Sequence, residues 1–140
     1  VLDLDFLRDV NNNYGHQVGD LAISSVAKQI SAMTRTIDGT ARIGGEEFVV
    51  VLPDTDLASA VVVAERIRAG IQCLVIETAK GTLRLTISAG VALRQMNETY
   101  PELFDRADTA LYESKRLGRN RVSLAEESVK TFQANQINTN

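Results

Sequence analysis

Carboxylates in two short stretches have the residue types and spacing to bring two or three of them together at a divalent metal site. Asp3 and Asp5 stand two residues apart in VLDLD, so their side chains share one face of an extended chain. Glu46 and Glu47 follow two glycines in RIGGEEF. Clustered carboxylates repel one another until a cation neutralises them, and Mg²⁺ prefers oxygen ligands. Taken singly, each stretch also fits a charged strand exit or a soluble Gly-Gly hairpin turn.

Two basic residues near the end of the last predicted helix have the chemistry to bind a polyphosphate. Lys115 and Arg119 lie in KRLGRNR and offer two fixed positive charges. Mg²⁺ keeps coordination positions open for phosphate oxygens, so a metal and these residues together indicate a nucleotide ligand. Alone, the two residues would fit a solvated helix end.

The composition limits the class of protein. The chain has 140 residues, 44% of them apolar, which is enough for the core of one domain. A formal net charge of -3 argues against a broadly basic surface for a nucleic acid polymer, so any nucleotide partner is small. The single cysteine, Cys73, lacks metal-ligand spacing, which excludes a disulfide framework and a zinc site. Its apolar helical surroundings predict a buried helix residue in a reducing compartment.

The start of the chain and its apolar runs bear on location. No run approaches the roughly 20 residues that span a bilayer, and no signal peptide opens the chain. VLDLD is typical of the end of a buried strand, so we expect an upstream segment in the full-length protein. The expected location of this domain is cytoplasmic, whether or not the full-length protein carries a membrane anchor.

Hydrophobic periodicity of 3.6 residues predicts three helices. The first covers residues 20–33, and the second covers residues 57–74 after a cap supplied by residues 54–56. The third begins at a capping box of Thr99 and Glu102, and we expect Gly118 to end it.

Strands are predicted between these helices. A hairpin turns at Gly-Gly, and its second strand, residues 48–52, is a β-branched run typical of a strand covered on both faces. Strict alternation predicts one long strand over residues 83–93, and a short one follows at 121–124. The polar tail, residues 126–140, lacks apolar periodicity, and we expect it to be frayed or disordered.

The order of the elements indicates an α+β fold, an α/β sandwich. It follows the βαββαβ pattern of a ferredoxin-like or palm-type core, in which a mostly antiparallel central sheet carries flanking helices. We expect one domain over residues 1–125, with its first strand truncated. In this topology the first strand neighbours the hairpin strand, so Glu46 is expected to approach Asp3.

Four separated motifs occur in the chain: DLDFLRDVNNNYGHQVGD, RIGGEEF, LTISAGVA and RADTALYESKRLGRNR. Through them the chain resembles the GGDEF-domain diguanylate cyclases over essentially its whole length and in the family's order. The resemblance implies condensation of two GTP molecules into cyclic di-GMP with release of pyrophosphate. It further implies attack of a 3′-hydroxyl on an α-phosphate, with each GTP held by one subunit of an antiparallel homodimer.

The resemblance also implies roles at the metal site. Asp3, the backbone carbonyl of Leu4 and Glu46 match the family's ligands for Mg²⁺ or Mn²⁺. Glu47 matches the residue near the attacking hydroxyl, a candidate base or second-metal ligand.

Substrate-binding residues follow from the same resemblance. Asn11 and Asp20 match the pair that recognises guanine, because a carboxylate accepts from two guanine N–H groups while an amide completes the base edge. Lys115 and Arg119 match the phosphate contacts. His16 lies in GHQVGD, between Asn11 and Asp20 in the sequence. The alternatives for His16 are a contribution to the guanine pocket and a purely structural hydrogen bond.

A second nucleotide site is implied by RTID, which stands before RIGGEEF at the spacing of the family's inhibitory product site. Arg35 and Asp38 match its two main residues, and Arg66 matches the secondary arginine. The planar guanidinium of arginine suits phosphate or a guanine edge. The alternative is a surface ion pair.

The chain departs from the family pattern in two respects. Leu7, Arg8 and Asn12 stand where the family usually carries Phe, Lys and Asp, and we expect these changes to tune affinity. The family's upstream D-x-L-T-x-x-x-N-R signature is absent from the chain. We expect a sensory or regulatory domain upstream in the full-length protein.

Two other functions remain open. The first is a non-catalytic cyclic di-GMP receptor that uses only Arg35 and Asp38, against which the intact carboxylates count. The second is a fragment of another palm-type cyclase or polymerase, which would have no reason to carry RTID.

Overall fold

The computed structural model describes residues 1–127. The predicted tail lies outside them apart from its first two residues. The helices are α1 (Leu7–Tyr14), α2 (His16–Met33), α3 (Leu57–Gln72) and α4 (Tyr100–Arg116). The strands are β1 (Leu2–Leu4), β2 (Gly39–Arg42), β3 (Glu47–Val51), β4 (Ile76–Thr78), β5 (Gly81–Leu83), β6 (Ile87–Val91) and β7 (Val122–Leu124). Within the described range, no helix combines the length and apolar character needed to cross a bilayer.

Five strands form the central sheet in the order β2-β3-β1-β6-β7. All neighbours are antiparallel except β6 and β7, which are parallel. The predicted neighbourhood of the first strand and the hairpin is confirmed, since Asp3 lies opposite Glu47 on one side and Ser88 on the other. The remaining strands, β4 and β5, pair separately. The α+β, palm-type fold class is therefore confirmed.

The two faces of the sheet have different partners. Apolar side chains of β1 and β6 form the main core with α2 and α3, and Leu4, Ile87 and Ile67 are almost fully buried there. Asp3 and Ser88 point to the opposite face because side chains alternate along a strand. There α4 packs on β6 at Gly90, where a Cβ atom would overlap the α4 backbone. This close approach brings the end of α4 to the polar residues of β1.

Local sequence sets the starts of the two long C-terminal helices. The side chain of Asp56 accepts from the amide of Ser59 at 2.7 Å and caps α3. Thr99 and Glu102 form the predicted capping box of α4. The end of α4 also agrees with the prediction, because Gly118 follows it at a φ of 115°.

The structure corrects three predictions about the strands and the cysteine. The predicted long strand is divided, because β5 pairs with β4 whereas β6 joins the central sheet. The strand β3 is not covered on both faces: Phe48 is buried but Val51 is half exposed, since α4 packs on β6 and β7 rather than on the hairpin. Cys73 is exposed, because it lies just after α3 and Ile71 takes the buried position.

The helix α1 was not predicted. Its segment contains three consecutive asparagines, which have low helix propensity. Leu7 and Val10 lie one turn apart and are both buried, so tertiary packing outweighs the weak local preference.

Candidate active site

The carboxylates predicted to bind metal meet where β1 and the hairpin end. Register places Glu47 opposite Asp3, and the amide of Leu4 donates to the carbonyl of Glu46 at 3.1 Å. Lys115, on α4, donates to Oδ2 of Asp3. The other carboxylate oxygen of Asp3, Oδ1, is buried without a hydrogen-bond partner.

Asp3, Glu46 and Glu47 form what we call the carboxylate edge, and its electrostatics disfavour negative charge. Burial raises the pKa of Asp3, although Lys115 opposes the shift. Burial and the charge of Asp3 raise the pKa of Glu46. Burial and the charge of Asp108 raise the pKa of Glu47. The pKa values of three neighbouring carboxyl groups are therefore shifted in the same direction, because burial and nearby negative charge both disfavour the carboxylate form.

These residues fit a Mg²⁺ ion whose ligands come partly from the protein and partly from a bound substrate. Among residues 1–127, no three His, Cys, Asp or Glu side chains converge in metal-binding geometry. Asp3 and Glu46 supply two carboxylates, and the unpaired Oδ1 of Asp3 is the kind of atom that a cation satisfies. Mg²⁺ commonly completes its shell with water and phosphate oxygens.

Asn11 and Asp20, predicted to recognise guanine, lie where α1 meets α2. The side chain of Asn11 lies against Gly19, where a Cβ atom would overlap its amide oxygen. Asp20 is the next residue, is exposed, and lines a groove of about 480 Å³ between α2 and the hairpin. His16 is exposed at the first position of α2. The close packing at Gly19 therefore keeps Asn11 beside the turn of α2 that carries Asp20.

The predicted phosphate contacts lie at the end of α4. Lys115 is half-buried and pairs with Asp3. The guanidinium carbon of Arg119 lies 4.7 Å from the centroid of the Phe6 ring, a cation–π contact. Because Phe6 directly precedes α1, this contact places Arg119 beside the start of α1.

The Gly44-Gly45 turn is closed by an arginine. Nε of Arg42 donates to the carbonyl of Gly44 at 3.0 Å, and its Nη2 donates to the carbonyl of Gly45 at 2.7 Å. Gly45 has open space around the position of a Cβ atom, so a ligand can approach the backbone closely.

The residues of the predicted product site form a separate cluster. Nη2 of Arg35 donates to Asp38 at 2.8 Å and to the hydroxyl of Thr55 at 3.0 Å. Nη2 of Arg66 donates to the carbonyl of Met33 at 2.8 Å, two residues before Arg35. The hydrogen bond from Arg35 lowers the pKa of Asp38. The three predicted residues therefore gather where α2, β2 and α3 approach one another.

Comparison with known proteins identifies the family. The family model for the diguanylate cyclase GGDEF domain matches residues 1–121. The chain belongs to the GGDEF-domain diguanylate cyclase family. The predicted resemblance is therefore confirmed.

Relatives of this GGDEF domain are found among curated proteins and solved structures. Diguanylate cyclase A of Treponema denticola is 42% identical over 130 residues, which are 92% of this chain and 35% of that protein. The GGDEF domain of DgcB from Caulobacter crescentus, solved in complex with c-di-GMP, superposes with a TM-score of 0.86 at 36% identity, over 90% of this chain and 75% of that one. The active GGEEF domain of a diguanylate cyclase from Vibrio cholerae superposes with a TM-score of 0.83 at 30% identity, over 91% of this chain and 81% of that one. This GGDEF domain thus spans about a third of the length of its first curated relative.

Several residues that shape the site of this GGDEF domain were not predicted from the sequence. Arg42 stands in RIGGEEF but received no role, although its position before the turn was a usable indication. Asp108 was not singled out, and its effect on Glu47 depends on the packing of α4. Asp5 shares a motif with Asp3, yet its carboxylate accepts from Thr86 and Ser88 at 2.7 Å each. Asp5 is thus engaged in structural hydrogen bonds.

Proposed function

We propose that this domain is an active, metal-dependent diguanylate cyclase that condenses two GTP molecules into cyclic di-GMP and pyrophosphate. The observation that carries the proposal is the buried, unpaired Oδ1 of Asp3 beside carboxyl groups whose pKa values are raised. Such an oxygen is costly in a folded protein unless a cation or a donor binds it. The curated name of the Treponema relative, Diguanylate cyclase A, supports the same activity.

Asp3, the carbonyl of Leu4 and Glu46 would hold Mg²⁺ or Mn²⁺. The bound ion would neutralise the triphosphate and polarise the reacting phosphate. Lys115 pairs with Asp3 through both a hydrogen bond and its positive charge. Lys115, together with Arg119, would bind a phosphate oxygen of the triphosphate.

Glu47 would remove the proton from the attacking hydroxyl. O3′ of one GTP bonds to the α-phosphorus of the other, the bond from that phosphorus to the β-phosphate oxygen breaks, and pyrophosphate leaves. The raised pKa of Glu47 suits a base, because proton transfer is most effective when the pKa lies near the operating pH. Repetition of the step closes the ring, so two domains must face each other in an antiparallel homodimer.

Asp20 and Asn11 would select guanine. A carboxylate accepts from N1–H and the exocyclic amine of guanine, a pattern that adenine lacks. The exposure of Asp20 in the groove beside α2 supports this assignment. His16 would shape the same pocket.

Arg35, Asp38 and Arg66 would bind cyclic di-GMP as an inhibitor. Their clustering away from the carboxylate edge supports a separate site, and the DgcB domain was solved with c-di-GMP. A sensory or regulatory domain elsewhere in the protein would control pairing of the subunits. We place the domain in the cytoplasm, where GTP is available.

The experiment that tests the function is incubation of the full-length protein with GTP and Mg²⁺, followed by chromatography and mass spectrometry of the products. We expect cyclic di-GMP and pyrophosphate, and no cyclic product from ATP. Protein that binds cyclic di-GMP but forms none from GTP would be a receptor, and the proposed catalysis would be wrong.

A further inference from the structure

The turn after α4 has an unusual backbone. Gly118, Arg119 and Asn120 have φ values of 115°, 65° and 46°, so three consecutive residues have positive φ. Glycine adopts such angles readily and asparagine tolerates them, but arginine rarely does. A turn of this kind persists only where surrounding contacts hold it.

Asn120 is held from two directions. Its backbone amide donates to Oδ2 of Asp5 at 3.0 Å, and its side-chain Oδ1 accepts from Nη1 of Arg68 at 2.9 Å. Asp5 is only 2% exposed and is itself fixed by the hydroxyl groups of Thr86 and Ser88. Arg68, on α3, is steadied by Glu65 at 3.0 Å. Asn120 therefore links the turn to β1 through one bond and to α3 through the other.

The neighbouring residue, Arg119, depends on this arrangement for its direction. Its guanidinium lies over the ring of Phe6, which also has a positive φ of 61°. A change in the backbone at Asn120 would rotate the adjoining peptide and move Arg119 off the ring. A guanidinium held in place loses less conformational entropy when it binds a phosphate.

We propose that Asn120 is a positioning residue, held by Asp5 and Arg68, that fixes the guanidinium of Arg119 for phosphate binding. The proposal rests on the proposed function, because it takes Arg119 as a contact to the triphosphate of GTP. Asn120 itself touches no substrate, so it acts only through Arg119.

A double-mutant cycle on nucleotide affinity tests the inference. Calorimetry of the full-length protein with a GTP analogue that carries a methylene group between the α- and β-phosphorus avoids turnover. We expect Asn120→Ala to weaken binding about 10-fold in the wild-type background but less than about 2-fold in the Arg119→Ala background. Asn120→Asp retains the tolerance of positive φ and the acceptor for Arg68, so it should stay within about 2-fold of wild type.

Two further measurements keep the result interpretable. If Asn120→Ala does not fold, Arg68→Gln removes the same contact from α3 and takes its place in the cycle. Equal losses in both backgrounds, or an Asn120→Asp variant as weak as Asn120→Ala, overturn the inference while leaving the proposed function intact. A wild-type protein that binds no analogue refutes the proposed function, and this inference with it.

Discussion

The carboxylate edge and the Arg35–Asp38 cluster differ in how well their charges are satisfied. At the edge, Asp3 shares one lysine with its neighbours and leaves an oxygen unpaired, and the pKa values of Glu46 and Glu47 are raised. In the cluster, Asp38 accepts from both the backbone and the side chain of Arg35, at 2.7 and 2.8 Å. The pKa of Asp38 is accordingly lowered and that of Arg35 is raised.

We infer from this difference that a bound cation would stabilise the carboxylate edge, whereas the Arg35–Asp38 ion pair would compete with a bound nucleotide. A cation relieves the repulsion at the edge, so binding there is favoured by the protein's own electrostatics. A nucleotide at the cluster must replace existing hydrogen bonds of Arg35, so affinity there depends on how many contacts the ligand returns. Mutations at the carboxylate edge and at the Arg35–Asp38 cluster should therefore change different properties of the protein.

The largest expected effect is that of Glu46→Gln. Loss of a metal ligand should lower the rate of cyclic di-GMP formation by at least ~100-fold, while circular dichroism and the unfolding midpoint remain close to wild type. The matched control is Glu77→Gln, at the exposed position of β4, which should retain full activity. Near-normal turnover in Glu46→Gln would falsify the metal assignment.

A smaller effect is expected from the double variant Arg35→Ala with Asp38→Ala. The concentration of cyclic di-GMP that halves the cyclase rate should rise at least ~10-fold, because hydrogen bonds to charged groups are lost. Glu113→Ala with Arg116→Ala removes an exposed ion pair at the same i,i+3 spacing on α4 and should leave inhibition unchanged. Inhibition of the first double variant at the wild-type concentration would show that RTID is only a surface ion pair.

The smallest effects concern stability against pH, and their signs should differ between the two regions. The folded pKa of Asp38 is lowered, so its ion pair stabilises the protein above ~pH 4 and the contribution is lost as pH falls through the folded value. The folded pKa of Glu47 is raised, so its ionisation lowers stability as pH rises through the folded value. In EDTA at pH 7, the free energy of unfolding measured in urea should be lower for Asp38→Asn than for wild type and higher for Glu47→Gln. Both differences in the free energy of unfolding should disappear in acid. Differences of the same sign for the two variants would contradict the contrast between the two regions.

Local chemistry made much of the fold predictable. The capping box of α4 and the Asp56 cap of α3 depend on residues within one turn, so the sequence displays them directly. The hairpin next to β1 followed from topology. The β-branched run of β3, in contrast, contains no information about which face a helix will cover.

The candidate site was predictable in its residues but not in its connections. The pairing of Lys115 with Asp3 spans 112 positions, and the bond from Asn120 to Asp5 spans 115. Such contacts depend on the packing of α4 at Gly90, which no local pattern reports. The motifs therefore identify which residues take part, whereas the fold determines that Asp5 accepts structural hydrogen bonds and that Lys115 pairs with Asp3.

Binding of Mn²⁺ to the carboxylate edge tests directly whether Asp3 and Glu46 hold a metal ion. Electron paramagnetic resonance can count the Mn²⁺ bound by the full-length protein in the presence of the methylene GTP analogue. We predict that Mn²⁺ binds to wild type and to Glu77→Gln, and that its affinity is at least ~10-fold weaker in Glu46→Gln. Equal Mn²⁺ affinity in wild type and Glu46→Gln would contradict it, because the crowded carboxylates would then not be the metal site.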